Sequence, residues 1–387
     1  MNPVHSFRAP GEICFGVDSS TGVGRSVKRV GGSKALVVTD KNLHESGIIS
    51  PVLNSLSETE IDYIIYDGVN TEPTLEHVND GLKLLREERC DILISCGGGS
   101  PIDTAKAIGA MATHPGKIED YKGLNQLKNP SLPHIAIPTT AGTGSEVTIF
   151  TIITDTNTDV KMLIGSPELM PTVALVDPLL TMKAPRGITA ATGLDALTHA
   201  IEAYVSVKAH PTSDLFALSA IKLISKSLPQ AWANPNNLEA RSNTMLGALQ
   251  AGLAFSNASV ALVHGMSRPI GANFHVPHGL SNAALLSVVT DFSLMGAPDR
   301  YAQIAAALGA NTTGLNATEA AQAGVEVIKS LVSQLEIPTL SGFGIKKEQL
   351  ESLVEKMAQD AIASGSPGNN PRIATKEEIV KLYYAAL

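Results

Sequence analysis

The sequence has little of what marks a secreted or membrane protein. It has three cysteines, Cys14, Cys90 and Cys96, too few and too irregularly spaced for a disulfide framework or a CxxC metal clip, so a reducing compartment fits best. No run of about 18 residues is apolar and free of charge, glycine or proline, as a membrane-spanning helix requires. The N-terminus lacks the basic lead and apolar run of a secretory signal. We therefore expect a cytoplasmic protein.

Clusters of basic residues are also missing. The formal net charge is −8, and no Lys/Arg run occurs, which argues against nucleic acid and against a membrane surface as the partner. The hydrophobic fraction of 44% and the charged fraction of 17% are typical of a globular chain rather than a disordered one. At 387 residues the chain is long enough for two domains. A small molecule is the expected partner.

The first part of the chain alternates short β-branched runs with helical patterns, which is typical of a parallel sheet with crossover helices. Helices are expected over 74–88 and over 101–111, the second opened by Ser100 as its N-cap and by Pro101 in its first turn. A hairpin is expected around 157–158. The predicted strands are 34–39, 61–66, 91–95, 134–138, 149–153, 160–164 and 173–176.

Long Ala/Leu/Ser-rich patterns replace the strand signals after Pro178, so the second half is predicted to be all-helical. The boundary is placed between 178 and 186, which gives an α/β domain over residues 1–182 and an all-α domain over residues 183–387. Residues 365–371, Gly-Ser-Pro-Gly-Asn-Asn-Pro, are expected to form a surface loop before a final helix. The other predicted helices are 187–206, 213–232, 238–255, 298–307 and 317–335.

Two runs of small residues follow predicted strands of the first half. In the run 96–101, Cys-Gly-Gly-Gly-Ser-Pro, glycines allow backbone amides to approach a diphosphate at a helix N-terminus. This is not the GxGxxG motif, and a purely structural turn is the alternative. The run 138–146, Pro-Thr-Thr-Ala-Gly-Thr-Gly-Ser-Glu, suits ribose, phosphate or the nicotinamide amide, or is a polar turn with a Ser/Thr cap.

An acidic residue, Asp40, follows the first predicted strand of this half. A carboxylate there can accept a hydrogen bond from the adenosine ribose 2′-hydroxyl and repel a 2′-phosphate, which favours NAD over NADP. Capping of a helix that begins at Lys41 is an equally good interpretation.

Four residues of the second half suit a divalent metal. Asp195 and His199 are four apart, so on a helix they project from one face, and two further histidines, His264 and His278, would join them through the fold. Three neutral imidazoles and one carboxylate suit Fe²⁺ or Zn²⁺. Glu202, one turn beyond His199, is either an orienting partner of a ligand imidazole or a solvated or salt-bridged side chain.

Together these motifs resemble the iron-containing, or group III, alcohol dehydrogenase family over essentially the whole chain. The resemblance rests on the segments 39–41, 97–103, 138–146, 193–202, 264–266 and 277–279. It implies a Rossmann-like dinucleotide-binding domain, a helical metal-binding domain, an active site in the cleft between them, and a homodimer or larger homo-oligomer. The implied reaction transfers a hydride between NAD(H) and a small primary alcohol or diol, or the corresponding aldehyde.

The resemblance also assigns roles to individual residues. Metal ligands are expected at Asp195, His199, His264 and His278. Phe255 matches an aromatic that borders the substrate pocket in relatives, although a core aromatic is equally plausible. Lys161 is a weaker candidate near the diphosphate or ribose. The dinucleotide contacts are expected at Asp40, Gly97, Gly98, Gly99, Ser100, Asp103, Thr139, Thr140, Thr143 and Ser145.

One position departs from the family pattern. Many members carry a second histidine four residues after the one that matches His264, near the nicotinamide, and here that residue is Arg268. The resemblance implies that this second histidine assists proton movement, and His275 is its nearest substitute by sequence in this chain. A zinc-dependent glycerol dehydrogenase-like enzyme, a dehydroquinate synthase-like lyase and a non-catalytic metal- or nucleotide-binding protein are the alternatives. The lyase requires a Lys/Arg cluster around the metal, which this chain does not offer.

If His275 moves the proton, His275→Ala slows turnover and alters its pH profile while metal stays bound. Steady-state rates across pH, with metal content measured on the same samples, check this. An unchanged rate and pH profile would exclude His275 from the reaction.

Overall fold

The computed structural model describes residues 4–158 and 160–387. The chain divides into two compact units between Lys183 and Ala184. Residues 8–183 form an α/β unit. Residues 184–387 form a helical unit, with which residues 4–7 group. Within the helical unit, the ring of Phe7 stacks on that of Phe216 with 5.5 Å between centroids. The domain ranges 1–182 and 183–387 stay a prediction.

The α/β unit is built on a six-stranded sheet in the order β1-β9-β6-β4-β2-β3, and all neighbouring strands in it are parallel. A second sheet has the order β5-β8-β7. The strands are β1 (Glu12–Phe15), β2 (Lys34–Val38), β3 (Asp62–Tyr66), β4 (Ile92–Gly97), β5 (Gly123–Leu124), β6 (His134–Pro138), β7 (Phe150–Asp155), β8 (Val160–Gly165) and β9 (Val173–Val176).

The central strands are buried apolar runs, as expected for a parallel sheet covered on both faces. Every residue of β4 is buried. The seven predicted strands are confirmed to within about two residues, and the predicted hairpin is confirmed by the antiparallel pairing of Asp155 with Val160. β1 and β5 were not predicted, because β1 is a four-residue edge strand and β5 has only two residues.

Five helices accompany this sheet: α1 (Val23–Arg29), α2 (Lys41–Glu45), α3 (Ser50–Glu58), α4 (Leu75–Glu87) and α5 (Gly99–Thr113). α4 lies where the sequence places it, capped by Thr74. The predicted N-cap of α5, Ser100, is wrong, because Gly98 is the N-cap and the helix begins at Gly99. A Cβ on Gly99 would lie 2.9 Å from Cγ2 of Thr143, so a side chain at this position would displace Thr143 in the neighbouring loop.

The described part of the helical unit is free of strands, as predicted. Its helices are α6 (Arg186–Val205), α7 (Pro211–Ala233), α8 (Leu238–Ala258), α9 (Leu262–Phe274), α10 (His278–Ser293), α11 (Pro298–Leu308), α12 (Ala317–Gln334), α13 (Lys347–Ala363) and α14 (Lys376–Ala385). No single helix among the described residues has the length and apolar character needed to cross a membrane; α8 and α9 meet the criterion only as a pair, with a bend of 103° between them.

The predicted surface loop over 365–371 is wrong. Ser366–Asn369 form a short 3-10 helix in which Pro367 and Asn369 are buried. A Cβ on Gly265 of α9 would lie 2.6 Å from Cγ of Pro367, so the segment packs directly on that helix. Its polar composition suggested exposure, but the Asn369 amide is satisfied inside the protein, where it donates to the carbonyl of Val260 at 2.9 Å.

The packing of α6 on α7 predicts a large effect of one methyl group. A Cβ on Gly193 would lie 2.4 Å from a methyl of Leu228, so Gly193→Ala should destabilise the helical unit by about 1–3 kcal/mol. Gly187→Ala is the matched control on the same helix, because its Cβ meets nothing within 4 Å. Scanning calorimetry should show a lower Tm for Gly193→Ala only; equal Tm values in the two variants would contradict this packing.

Candidate metal centre and dinucleotide site

The structure brings the four predicted metal ligands together. Asp195 and His199 project from α6, and with His264 of α9 they offer ligand atoms that all lie within 4.8 Å of one another. His278, the first residue of α10, places Nε2 3.7 Å from Oδ1 of Asp195. All four residues belong to the helical unit.

Close packing of α10 on α6 brings His278 to this cluster. A Cβ on Gly279 would lie 2.5 Å from the carbonyl oxygen of Ala191 and 3.4 Å from Cβ of Asp195. Only a glycine permits this approach of α10 to the α6 backbone. The glycine that follows His278 is therefore required by the packing of α10 on α6.

The charge states of the cluster suit a divalent cation. Burial, followed by the neighbouring imidazoles of His199 and His278, lowers the pKa of His264 well below its ordinary value. Burial opposes ionisation of Asp195, but the surrounding imidazoles and Asn282 outweigh it and lower the pKa of the carboxyl group. A carboxylate beside neutral imidazoles is the form in which these side chains bind Fe²⁺ or Zn²⁺.

Glu202 orients His264. Its carboxylate is buried and accepts hydrogen bonds from Nδ1 of His264 at 2.6 Å and from the amides of Ala261 and Val263. Burial raises the pKa of Glu202 to about 7. With Nδ1 donating to Glu202, the lone pair of Nε2 faces Asp195, as a ligating histidine requires. The solvated interpretation of Glu202 is wrong.

The turn between α8 and α9 is held in an unusual conformation. Ser259 has φ 67° and ψ 170°, a backbone region that residues other than glycine rarely adopt. Asn369 fastens this turn, because its Nδ2 donates to Oγ of Ser259 at 3.1 Å and to the carbonyl of Val260 at 2.9 Å. The buried 365–371 segment thus supports the backbone that leads to His264.

Asn282 belongs to the cluster and was missed from the sequence. It is fully buried, and its Nδ2 lies 2.7 Å from Oδ1 of Asp195, 3.1 Å from Nε2 of His264 and 3.2 Å from Nε2 of His278. The amide donates to Asp195 and sits where the ligand atoms converge. Its position four residues after His278, one turn along α10, places it on the same helix face as that histidine, but spacing alone does not distinguish it from other buried asparagines.

The three residues proposed to act near the substrate lie in different surroundings. The ring of Phe255 stacks on His199 with centroids 4.2 Å apart, so this aromatic lies against a ligand imidazole. Arg268 is partly buried on α9, one turn beyond His264. His275 is exposed at the C-terminal cap of α9, and no hydrogen bond or ring contact joins it to the cluster among the residues that the structure describes.

The two small-residue runs of the α/β unit lie side by side. β4 and β6 are neighbours, and Gly97 pairs with Pro138 at their carboxyl ends. Beyond the strands, Gly99 approaches Thr143, and a Cβ on Gly98 would lie 3.6 Å from the side chain of Thr140. The amides at the start of α5 and the hydroxyls of 139–143 therefore share one edge of the sheet.

Asp40 lies at the same edge, two residues after the neighbouring strand β2 ends. β2 pairs with β4, and the hydroxyl of Thr39 donates to the carbonyl of Cys96 at 2.7 Å. The strand order reverses between β2 and β4, which is where open parallel sheets bind ligands. Asp40 caps α2 through an oxygen that accepts from the amide of Leu43 at 2.9 Å; a carboxylate has further acceptor capacity for a ribose hydroxyl.

Asp103 and Ser145 join a buried network that holds the second run in place. Asp103 accepts from Oγ of Ser145 at 2.5 Å and from the amide of Ile152 at 2.9 Å. Lys106, missed from the sequence, donates to Oγ of Ser145 at 3.0 Å and to the carbonyl of Phe150 at 2.8 Å, and burial lowers its pKa to about 8. These contacts fasten α5 to β7 and to Ser145 in the segment before it.

The remaining predicted cofactor residues are placed as follows. Ser100 lies in the first turn of α5, and Thr139 is buried directly after β6, where its amide bonds to the carbonyl of Gly97 at 2.9 Å. Lys161 lies on β8 and forms an ion pair with Glu72, so its ammonium already has a carboxylate partner.

Comparison with known proteins agrees with both units. The model of the family "Iron-containing alcohol dehydrogenase" matches residues 10–178, and that of "Fe-containing alcohol dehydrogenase family, C-terminal" matches residues 189–387. The chain belongs to the iron-containing alcohol dehydrogenase family. It is an enzyme, an oxidoreductase of alcohols and aldehydes, and the predicted fold, an α/β domain followed by a helical domain, is confirmed.

Several relatives of this family match along their whole length. The chain is 42% identical to a 1,3-propanediol dehydrogenase of Citrobacter freundii over 98% of both chains. It is 39% identical to an NAD-dependent methanol dehydrogenase of Bacillus methanolicus over 99% of this chain and 100% of the relative. A solved 1,3-propanediol oxidoreductase superposes with a TM-score of 0.97 at 41% identity, covering 100% of both chains.

The orientation of His264 by Glu202 predicts the effect of one substitution. Glu202→Gln should weaken metal binding by about 10- to 100-fold, because the amide holds Nδ1–H of His264 less strongly. Glu326→Gln is the control, since Glu326 lies on α12 in an exposed ion pair with Lys329. Competition with a chromogenic chelator measures the affinity. Equal metal affinities in a folded Glu202→Gln variant and in the control would contradict the orienting role.

Proposed function

We propose that the protein transfers a hydride between NAD(H) and a small primary alcohol or diol, or the corresponding aldehyde, at a site that holds Fe²⁺. The convergence of Asp195, His199 and His264, with His278 beside them, carries this proposal. The donor set fits the group, because three imidazoles and one carboxylate suit a divalent transition metal. The names of the relatives support the substrate class and NAD.

Each residue of the centre has a part in the reaction. A bound divalent metal supplies Lewis-acid polarisation of the substrate oxygen. Asp195 would balance part of the charge of the metal, while neutral imidazoles would leave the centre with net positive charge. That charge attracts the substrate oxygen as it gains negative charge. Glu202 keeps His264 in the tautomer that ligates. Phe255, stacked on His199, packs apolar surface against the centre and limits the access of water to the substrate.

The α/β unit is proposed to bind the dinucleotide. The amides of Gly98, Gly99 and Ser100 open α5, where the helix N-terminus favours a diphosphate. The hydroxyls of Thr139, Thr140 and Thr143 lie beside them at the same sheet edge. Gly97, Asp103 and Ser145 position these groups through the sheet pairing and the Lys106 network. Asp40 is proposed to accept from the adenosine ribose.

We also propose a cytoplasmic homo-oligomer. Three cysteines, Cys14, Cys90 and Cys96, are free thiols, which suits a reducing compartment. β1 is the edge strand of the six-stranded sheet, and its Phe15 is exposed, so a second copy can pair there. Light scattering on the purified protein measures the oligomeric state.

Reconstitution tests the proposed function most directly. The protein is purified without oxygen, analysed for metal, and assayed with a panel of alcohols and diols, with NAD or NADP, after loading with Fe²⁺ or Zn²⁺. We expect alcohol-dependent formation of NADH that requires metal. A metal-loaded, folded protein without NAD(H)-linked turnover of any alcohol or aldehyde would overturn the proposal.

The ligand assignment predicts the behaviour of two variants. His264→Ala and His278→Ala should each yield a folded, NAD-binding protein that retains little metal and little activity, because a ligand imidazole is lost. Elemental analysis, circular dichroism and NAD titration give the separate readouts, and His44→Ala, at a histidine paired with Asp67 in the α/β unit, is the control. Normal turnover in either ligand variant would refute the assignment.

The role of Asp40 predicts a change in cofactor preference. Asp40→Asn keeps a side chain that caps α2 but removes the charge that repels a 2′-phosphate. We expect the ratio of kcat/KM for NAD to that for NADP to fall by about tenfold or more, since a hydrogen bond to a charged group contributes about 1.5–3 kcal/mol. An unchanged ratio would assign Asp40 to capping alone.

A further inference from the structure

Arg268 carries a charge that has no contact partner in the part of the chain that the structure describes. It lies on α9 four residues after His264, so the two Cβ atoms are about 6 Å apart. Its side chain is partly buried. Within residues 4–158 and 160–387, the guanidinium has neither a carboxylate at ion-pair distance nor a hydrogen-bond acceptor.

The other arginines of the helical unit, whether buried or partly exposed, each donate to at least one acceptor. Arg241 donates to Oγ1 of Thr189 at 2.9 Å and to two backbone carbonyls. Arg372 donates to Glu378 at 2.8 Å. A guanidinium has five donors, and burying them without acceptors is costly. Arg268 is therefore the exception, and it stands one turn from a proposed metal ligand.

The neighbouring carboxylate of Glu202 does not serve as a contact partner for the guanidinium of Arg268. Burial lowers the pKa of Arg268 while the charge of Glu202 raises it, so the guanidinium stays protonated and lies within electrostatic reach of Glu202. The Glu202 carboxylate, however, already accepts from His264, Ala261 and Val263. The charge of Arg268 is thus added to that of a divalent metal at the same centre, which makes the site suited to an anion.

We propose that Arg268 binds the carboxylate of a substrate whose other end is the reacting alcohol or aldehyde, which makes short oxo acids and hydroxy acids the preferred substrate class. This inference rests on the proposed function and narrows it. The guanidinium fork matches a carboxylate in a bidentate arrangement. In the reduction, the aldehyde carbon accepts a hydride from NADH and its oxygen accepts a proton, which yields the hydroxy acid and NAD⁺.

Matched substrates and variants test the inference. The Fe²⁺-loaded enzyme is assayed with NADH and aldehydes in pairs of equal chain length: glyoxylate with acetaldehyde, 3-oxopropanoate with propanal, and 4-oxobutanoate with butanal. Variants are Arg268→Gln, which removes the charge, Arg268→Lys, which retains it, and Arg268→His, which introduces the residue of many relatives. The series of lengths also reports how far the reacting carbon lies from the guanidinium.

We expect at least one oxo acid to exceed its neutral partner in kcat/KM by about tenfold or more. Arg268→Gln and Arg268→His should lower the ratio of kcat/KM for that oxo acid to kcat/KM for its neutral partner by about 10- to 100-fold, because only the oxo acid carries the carboxylate that the guanidinium binds. Arg268→Lys should keep part of the preference. The KM for NADH should not change, because the guanidinium is assigned to the substrate and not to the cofactor.

A binding measurement without turnover complements the rates. The corresponding hydroxy acid alone, without NAD, should raise the Tm of the metal-loaded wild type more than the diol of equal length does, and Arg268→Gln should abolish the difference. Equal kcat/KM for charged and neutral aldehydes in an otherwise active enzyme would overturn the inference and leave the proposed function standing. A variant effect confined to the KM for NADH would overturn it as well. No activity with either series would instead reject the proposed function.

Discussion

The candidate metal centre depends on one buried carboxylate. Glu202 accepts from Nδ1 of His264 and from the amides of Ala261 and Val263, so it fixes the backbone at the start of α9 and the tautomer of the imidazole that α9 carries. Three donors offset only part of the cost of burying the charge, since burial still raises the pKa of Glu202 to about 7. The turn before α9 contains the strained Ser259 and is supported by Asn369, which is consistent with a backbone shaped to place its donors against Glu202.

Glycines determine how closely the elements of both sites approach. Gly279 lets α10 begin against α6, and Gly99 lets α5 begin against the loop after β6. A side chain at Gly279 would meet the backbone of α6, and one at Gly99 would displace the side chain of Thr143. The same residue type thus allows close contact at the candidate metal centre in one unit and at the proposed dinucleotide site in the other, without supplying a functional group.

The sequence predicted those features that depend on local pattern. Strands such as His134–Pro138 and helices such as Ala317–Gln334 follow from apolar periodicity and capping, and the ligand set follows from residue chemistry. Features that depend on tertiary contact were missed. Asn282 is recognisable as part of the metal cluster only once α10 packs on α6, and Lys106 as part of a buried network only once β7 lies beside α5. The 365–371 segment is polar by composition, but its side-chain amides are satisfied in the interior.

The proposed ligands are contributed by α6 and, far along the chain from it, by the consecutive helices α9 and α10. A metal that joins Asp195 to His278 closes a long loop, and it restricts the unfolded chain as a reversible cross-link does. Because an ion that binds only the folded state stabilises it in proportion to the logarithm of its free concentration, metal supply would set the persistence of the helical unit as well as its activity. A shortage of iron would then lower the stability of the enzyme as well as its activity.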